Sequence, residues 1–457
     1  MTVQSLAAVE AALAARWPES QLDPSLDRIR DLLDVLGDPQ TAVPVILVAG
    51  TNGKTSTARM IDALLHAFGL RVGRYTSPHL ESVTERISID GAPLPEDRFV
   101  DAYQELAPYL HLVDSRHQHP LSYFETLTAL AYAVFADAPV DVAVVEVGMG
   151  GTWDATNVAE AQVAVVTPIG LDHQAYLGDT VTEIAGEKAG IIGPGCVAVL
   201  AQQSLEAAEV LLRRVAEVGA TVAREGLEFG VVGRSLAVGG QVLELKGLAG
   251  DYDQIHLTLL GAHQAHNAAV ALVAVEAFLG GGGEPLDLDL VRAGFSAATS
   301  PGRLEIVRRG PTVLIDAAHN PAGARSLAAA LTEDYAFDRL IGVIGVLADK
   351  DARGLLEALE PVLTQVVITR TSSPRAQDPD ELGAVAVSVF GADRVSVAPR
   401  LADAIDSAIA LAEDAGSGGL VAGSGVLVTG SVVTAGEARA LLVRDARTGQ
   451  PRPSGEG

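Results

Sequence analysis

Residues 43–56 read VPVILVAGTNGKTS, and the reading of this stretch decides the fold. Its first seven residues are almost all branched and apolar. Such a run, with no polar alternation, is a strand buried on both faces, as in a parallel sheet covered by helices. Gly50 ends it, and a helical pattern runs from Lys54 to Phe68 before Gly69 stops it. A strand, a Gly-containing loop and a helix start together form a place where backbone N–H groups can cradle phosphates. Lys54 would reach the β/γ oxygens, and Thr55 or Ser56 would add a hydroxyl near Mg²⁺. The full P-loop spacing asks for Gly at position 48, where Val48 stands, so the match is the shorter GxxGKT form. The plain alternative is a Gly-rich strand–helix turn.

The same pattern recurs outward from this point. Residues 142–147 (VAVVEV) and 163–168 (VAVVTP) are two more continuous apolar strands, and 72–75 is a short one. Helices are expected over 1–17 and 27–36, and a buried one near 127–136. Between 205 and 260 apolar and polar residues alternate with Gly and Asp punctuation, which predicts antiparallel hairpins beside the main sheet. Residues 262–279 return to helix. From the SPGR at 300–303 a second series starts, with strands expected at 312–316, 340–346, 365–369, 394–397 and 425–429. The expected fold is therefore α/β: an N-terminal P-loop domain (1–297) with a mostly parallel sheet and a small antiparallel one, then a Rossmann-like α/β domain (298–444). Residues 445–457 are polar and rich in Pro and Gly, and read as a mobile tail.

Composition narrows the function classes. The 457 residues carry 32 Lys+Arg against 58 Asp+Glu, a net charge of −26. That repels nucleic-acid backbones and anionic lipids, so neither is an expected partner. The single Cys196 excludes a disulfide framework and a Cys-rich zinc site. No uncharged apolar run reaches the ~18 residues of a membrane span. The N-terminus lacks a basic start and has Glu10 in its apolar stretch, unlike a signal peptide. A cytoplasmic protein is expected.

Several polar residues stand at strand ends, where open parallel sheets collect ligands. They are Ser77 in YTSPH, Glu146 inside its apolar strand, and Asp172-His173 in TPIGLDH. Ser, Glu and His converging there could hold a hard cation beside the phosphates. Each alone could equally be a solvent or satisfied interior group. Asp316 and His319 in DAAHNP suggest a ligand-facing turn, or an ordinary Asx or N-cap turn. Arg303 in PGRLE could be aimed at phosphate, or form a surface ion pair. Trp153-Asp154 could stack on and hydrogen-bond a flat heterocycle. Phe124, at the start of an apolar helix, could be plain core.

Ten motifs in order, GTNGKTST, YTSPHL, ERI (85–87), YFETLTALA, EVGMGGTWDATN, LDH, GEKAGI (186–191), HQAHNAA (263–269), PGRLE and DAAHNP, resemble the folylpolyglutamate synthase and dihydrofolate synthase family of the Mur ligase superfamily. The resemblance runs from about residue 22, where LDPSLDRIRDLLDVLGDPQ begins, to about residue 440. It implies a two-domain, ATP-dependent ligase that joins L-glutamate to dihydropteroate, to reduced folates, or to both, through an acyl phosphate. It implies that Gly50, Thr51, Asn52, Gly53, Lys54, Thr55 and Ser56 hold the ATP phosphates, with Asn267, Arg303 and Asp316 as further nucleotide contacts and His319 beside them. Ser77, Glu146 and His173 match the family's Mg²⁺ ligands, for two ions. Lys188 matches a lysine that is carbamylated in the family, so that Lys54, Lys188, His173, Asp316 and His319 form the implied catalytic set. Phe124, Trp153 and Asp154 fall where a pterin-bearing substrate is expected, with Arg86 as a local positive charge for anionic substrates.

The chain departs from the family's pattern in places. Thr55 stands where many members have Gly, Thr152 where an Arg is frequent, and Ala317 where Gly is common. Alternatives are the folylpolyglutamate synthase activity alone, a Mur-type cell-wall ligase, and a non-catalytic ATP-binding switch. The switch would leave Glu146, His173, Lys188 and the Asp316–His319 pair without a task. A monomer acting on small molecules is expected.

Overall fold

The computed structural model describes residues 5–17, 24–414 and 423–448. The chain divides into two compact units, Met1–Thr258 with His263–Thr299, and Leu259–Ala262 with Ser300–Gly457.

The first unit is built on eight strands: β1 (Val45–Ala49), β2 (Val72–Tyr75), β3 (Ile87–Ile89), β4 (Ala92–Pro93), β5 (Val142–Glu146), β6 (Ala161–Val166), β7 (Val197–Leu200) and β8 (Thr221–Arg224). Their order is β4-β3-β2-β5-β1-β6-β7-β8. From β2 through β8 every pairing is parallel, and β3 and β4 add an antiparallel edge. All five residues of β1 and all five of β5 are buried. That explains their unbroken apolar sequences, because both faces of a central parallel strand are covered. β1 lies between β5 and β6, with Val48 opposite Glu146 and Ala49 opposite Val166. The carboxyl ends of β1, β2, β5 and β6 therefore open on one rim.

The alternation seen between 205 and 260 has two sources. Residues Leu205–Val218 form a helix capped by Ser204, and β8 joins the main parallel sheet. The expected hairpins are confined to β9 (Gly230–Ala237), β10 (Gly240–Lys246) and β11 (Asp251–Leu257), an antiparallel sheet in the order β11-β10-β9. Residues 205–218 are thus helix rather than hairpin: an amphipathic helix whose buried face is only Ala207, Leu211 and Val215 also mixes polar and apolar residues. Glu276, on the helix Ala262–Gly280, fastens this small sheet by accepting the Leu248 N–H and the Tyr252 hydroxyl.

Among its described residues the second unit has six strands: β12 (Glu305–Arg309), β13 (Thr312–Ile315), β14 (Arg339–Ile344), β15 (Gln365–Arg370), β16 (Val395–Arg400) and β17 (Ser424–Thr429). Their order is β12-β13-β17-β14-β15-β16, all parallel except the β12–β13 hairpin. Its core is aliphatic, centred on Leu314, Leu327, Leu355, Leu356 and Ile368. The last helix, Val432–Thr448, reaches into the stretch expected as tail; residues 449–457 lie outside the described residues.

Candidate active site

The loop after β1 is held from two sides. Gly50 and Gly53 have φ of 143° and 91°. A Cβ on Gly50 would lie 1.8 Å from Thr167 Oγ1, and one on Gly53 2.6 Å from Asn267 Oδ1. Glycine is thus required at both, by conformation and by space. The Thr51 N–H donates to the Pro168 carbonyl at 3.0 Å. The Thr51 hydroxyl donates to the Gly170 carbonyl and accepts the Gly170 N–H, both at 3.0 Å. Lys54 Nζ folds back on the Gly50 and Thr51 carbonyls at 3.1 and 3.2 Å. The helix Lys54–Ala67 starts here without a side-chain cap. Its first N–H groups and its dipole are thereby left for an anion.

Asn267 is buried against this loop and donates to Gln264 Oε1 at 3.1 Å; Gln264 in turn donates to Ser56 Oγ at 3.3 Å. The motif HQAHNAA thus braces the loop from the helix Ala262–Gly280. Gln264 was missed in the sequence, although its spacing of three before Asn267 places both on one helix face.

Glu146, at the end of β5, is 1% exposed. The Thr55 hydroxyl donates to its carboxylate at 2.9 and 3.0 Å, and the Ser77 N–H at 3.3 Å. The rim so brings together Thr55, Ser77 and Glu146, three hard oxygen donors beside the phosphate loop. Among the described residues no group of three or more His, Cys, Asp or Glu is gathered as a metal cage. The set fits Mg²⁺, which keeps waters and takes one or two carboxylates plus substrate phosphates. His173 follows β6 on the same rim, in left-handed backbone with φ 53°, and its N–H donates to Asp172 Oδ1.

Lys188 is 4% exposed on the helix Val181–Ala189, which a Thr180–Glu183 capping box starts. Burial first, and then the nearby Lys54, push its pKa down to about 7, against the pull of Asp172, Asp154 and Glu187. The loop 147–157 lies directly on this helix. The Thr152 N–H donates to the Glu187 carbonyl at 2.9 Å, and a Cβ on Gly151 would come within 2.5 Å of the same oxygen. A buried amine with this pKa is about half neutral at pH 7, and the neutral fraction can act as a nucleophile.

The expected substrate residues divide. The carboxylate of Asp154 is taken up by its own loop, accepting from the Met149 N–H at 2.8 Å and from the N–H and hydroxyl of Thr156 at 3.0 and 2.5 Å. It shapes the loop rather than projecting from it. Trp153 is partly exposed beside it. Phe124 packs 5.9 Å from the Tyr75 ring and closes over Gly148. Arg86 donates to His79 Nδ1 at 3.0 Å and stacks 5.1 Å from the centre of the Tyr123 ring. Burial and Arg86 push the His79 pKa down to about 4, so that ring is neutral.

In the second unit Asp316 follows β13. Its oxygens accept the N–H groups of Leu304 at 2.9 Å and Ala318 at 2.8 Å. Burial raises its pKa, and Arg303 opposes that most strongly. His319 Nδ1 lies 3.0 Å from the Ala317 carbonyl, which makes that nitrogen the donor. Asn320 caps the helix Pro321–Asp334 by accepting the Gly323 N–H at 2.7 Å. The turn DAAHNP therefore gathers Arg303, Asp316 and His319.

Two family models match the chain: the Mur ligase middle domain over residues 48–275, and the Mur ligase glutamate ligase domain over 302–431. A dihydrofolate synthase/folylpolyglutamate synthase from Mycobacterium tuberculosis is 55% identical, over 97% of this chain and 95% of the relative. The chain belongs to the dihydrofolate synthase/folylpolyglutamate synthase family of Mur ligases. An Escherichia coli member is 34% identical over 79% of this chain and 81% of its own. Among solved structures, the Mycobacterium tuberculosis folylpolyglutamate synthase complexed with ADP and AMPPCP matches with a TM-score of 0.92 and 55% identity, covering 96% of this chain and 98% of that one. The Escherichia coli FolC in complex with DHPP and ADP matches at 0.84 and 32%, covering 98% and 99%. In this ligase family the resemblance read from the ten motifs is thus the right one.

Proposed function

We propose that this ligase uses Mg·ATP to join L-glutamate to dihydropteroate and to reduced folates. The observation that carries the reading is the rim cluster: Glu146, gripped by Thr55 and Ser77, beside a phosphate loop whose lysine lies near the buried Lys188. A nucleotide switch needs the loop but not that cluster.

The acceptor's carboxylate attacks the γ-phosphorus of ATP. Its oxygen forms the new P–O bond as the bond to ADP breaks, giving an acyl phosphate. The glutamate amine then attacks the acyl carbon, loses a proton, and expels phosphate to leave the amide. Lys54 and the first N–H groups of its helix offset the charge on the transferring phosphoryl group. Thr55, Ser77, Glu146 and His173 would hold a magnesium ion, which would offset phosphate charge there. Asn267, Arg303, Asp316 and His319 serve the nucleotide. Trp153, Phe124 and Arg86 serve the acceptor, with Asp154 shaping their loop. Lys188 takes up CO₂ as a carbamate: the neutral amine forms an N–C bond and releases a proton. The neutral amine thereby becomes a carboxylate-like oxygen donor, which magnesium prefers.

The enzyme acts on small molecules as a cytoplasmic monomer, where ATP is at hand. No described helix is long and apolar enough to cross a membrane. The reading is tested by ADP production from Mg·ATP and L-glutamate, with dihydropteroate and tetrahydrofolate as acceptors in turn. Turnover with both supports the two activities, turnover with tetrahydrofolate alone reduces them to folylpolyglutamate synthesis, and no glutamate-dependent turnover with either overturns the reading.

A further inference from the structure

Arg59 is a cation for which neither the fold nor the mechanism above has a use. It lies on the helix Lys54–Ala67, four residues beyond Thr55, and so on the same face. It is partly exposed. Burial and the neighbouring Arg74 lower its pKa to about 10, so it keeps its charge at neutral pH. Its acidic neighbours are Glu85, Asp62 and Glu146. Each of them has partners of its own, although Asp62 Oδ1 makes no hydrogen bond. Asp62 is paired with Arg74. Glu85 accepts the N–H groups of Leu80, Glu81 and Ser82 at 2.9, 3.0 and 3.0 Å. Glu146 is held by Thr55 and Ser77.

Among the described residues the Arg59 guanidinium makes no hydrogen bond or close ion pair, and none of its nitrogens is sealed from solvent. A guanidinium has five donors in a planar fork that matches a carboxylate. Its donors are therefore met by water rather than by protein groups. An anion that displaces that water would gain the fork of donors.

The position selects the anion. Side chains on a helix tilt toward its N-terminus, so Arg59 reaches back toward Glu146. The ATP phosphates have Lys54 and the helix start. Arg59 sits about 7.5 Å further along the axis, at 1.5 Å per residue, and near Glu85 of the loop 76–86. A folate acceptor that already carries glutamate has two carboxylates, with three carbons between them. One is phosphorylated and the other remains an anion, free to meet a second cation. Dihydropteroate has only the reacting carboxylate.

We propose that Arg59 binds the non-reacting α-carboxylate of the terminal glutamate on a folate acceptor, and so favours glutamylated acceptors over dihydropteroate. This rests on the reading given under Proposed function.

The test compares wild type, Arg59→Gln and Arg59→Lys by KM and kcat for tetrahydrofolate and for dihydropteroate, with ATP and glutamate saturating. Binding of pteroate and of pteroylglutamate is measured alongside by calorimetry. Losing a charge-assisted hydrogen bond is expected to raise KM for tetrahydrofolate about tenfold or more. Arg59→Lys falls between. Dihydropteroate turnover, which also reports folding, stays within about twofold, and pteroylglutamate loses its binding advantage over pteroate. An equal loss for both acceptors would make Arg59 a structural or magnesium-positioning residue and overturn the proposal, as would no change for either. Wild-type enzyme inactive with both acceptors but still binding pteroylglutamate through Arg59 would reject the assigned reaction and keep this site.

Discussion

Two lysines at the rim carry opposite tasks because their surroundings differ. Lys54 rests on backbone carbonyls and stays available to phosphate. Lys54→Ala is expected to lower kcat about a hundredfold or more, the scale of losing one preorganised charge at a transferring group. Steady-state kinetics checks it. Lys188 is buried, and its pKa is held down at about 7. Carbamate formation needs the neutral amine, so the modification and the activity it supports fall as pH drops through about 7 and are present above it. CO₂-depleted buffer should lower activity, and bicarbonate should restore it. Lys188→Ala should lose most activity and regain part of it with a short carboxylic acid. Full activity in Lys188→Ala without any added acid would remove the carbamate from the account.

Elements are fixed by a few buried polar contacts, and these are where the sequence was hardest to read. Arg28 on the helix Asp27–Val35 is buried against Glu125 on the helix Tyr123–Asp137, at 3.1 Å. Arg28→Ala leaves that carboxylate buried without its cation and should cost about 3–5 kcal/mol of stability, measured by urea unfolding. The pair joins residues 97 apart in sequence, so no local pattern reveals it. By contrast β1, β5 and β6 were legible, because a strand covered on both faces must be apolar throughout. The phosphate loop was legible for the same kind of reason, since two positions with positive φ and no room for a Cβ leave only glycine. Glu146 stood out as an acid inside such a strand. Its partner Thr55, a departure from the family's glycine, was read only as a plausible extra ligand. Asp154 misled, because an acid beside a Trp looks like a substrate contact until its carboxylate is seen capping its own loop. Gln264 and Arg59 were invisible, since helical polar residues gain meaning only from what faces them.

The whole molecule is two units, each with its own sheet and core. Unfolding is therefore expected to depart from a single two-state transition in calorimetry. A non-hydrolysable ATP analogue at a hundred times its Kd should add about 2.7 kcal/mol of stability, and Lys54→Ala should lose most of that gain. A wild-type Tm unmoved by the analogue would contradict nucleotide binding. The net charge of −26 is set against anionic substrates. At physiological salt the Debye length of ~8 Å screens distant carboxylates, so local groups such as Lys54, Arg59 and Arg86 decide what binds. The central claim is that a carboxylate is activated by phosphoryl transfer and then captured by glutamate. Its most direct test labels both oxygens of the acceptor carboxylate with ¹⁸O and follows one turnover with Mg·ATP and L-glutamate. The account predicts an acceptor heavier by one glutamate residue, with one labelled oxygen in the amide and the other in inorganic phosphate. Phosphate released without label would contradict it.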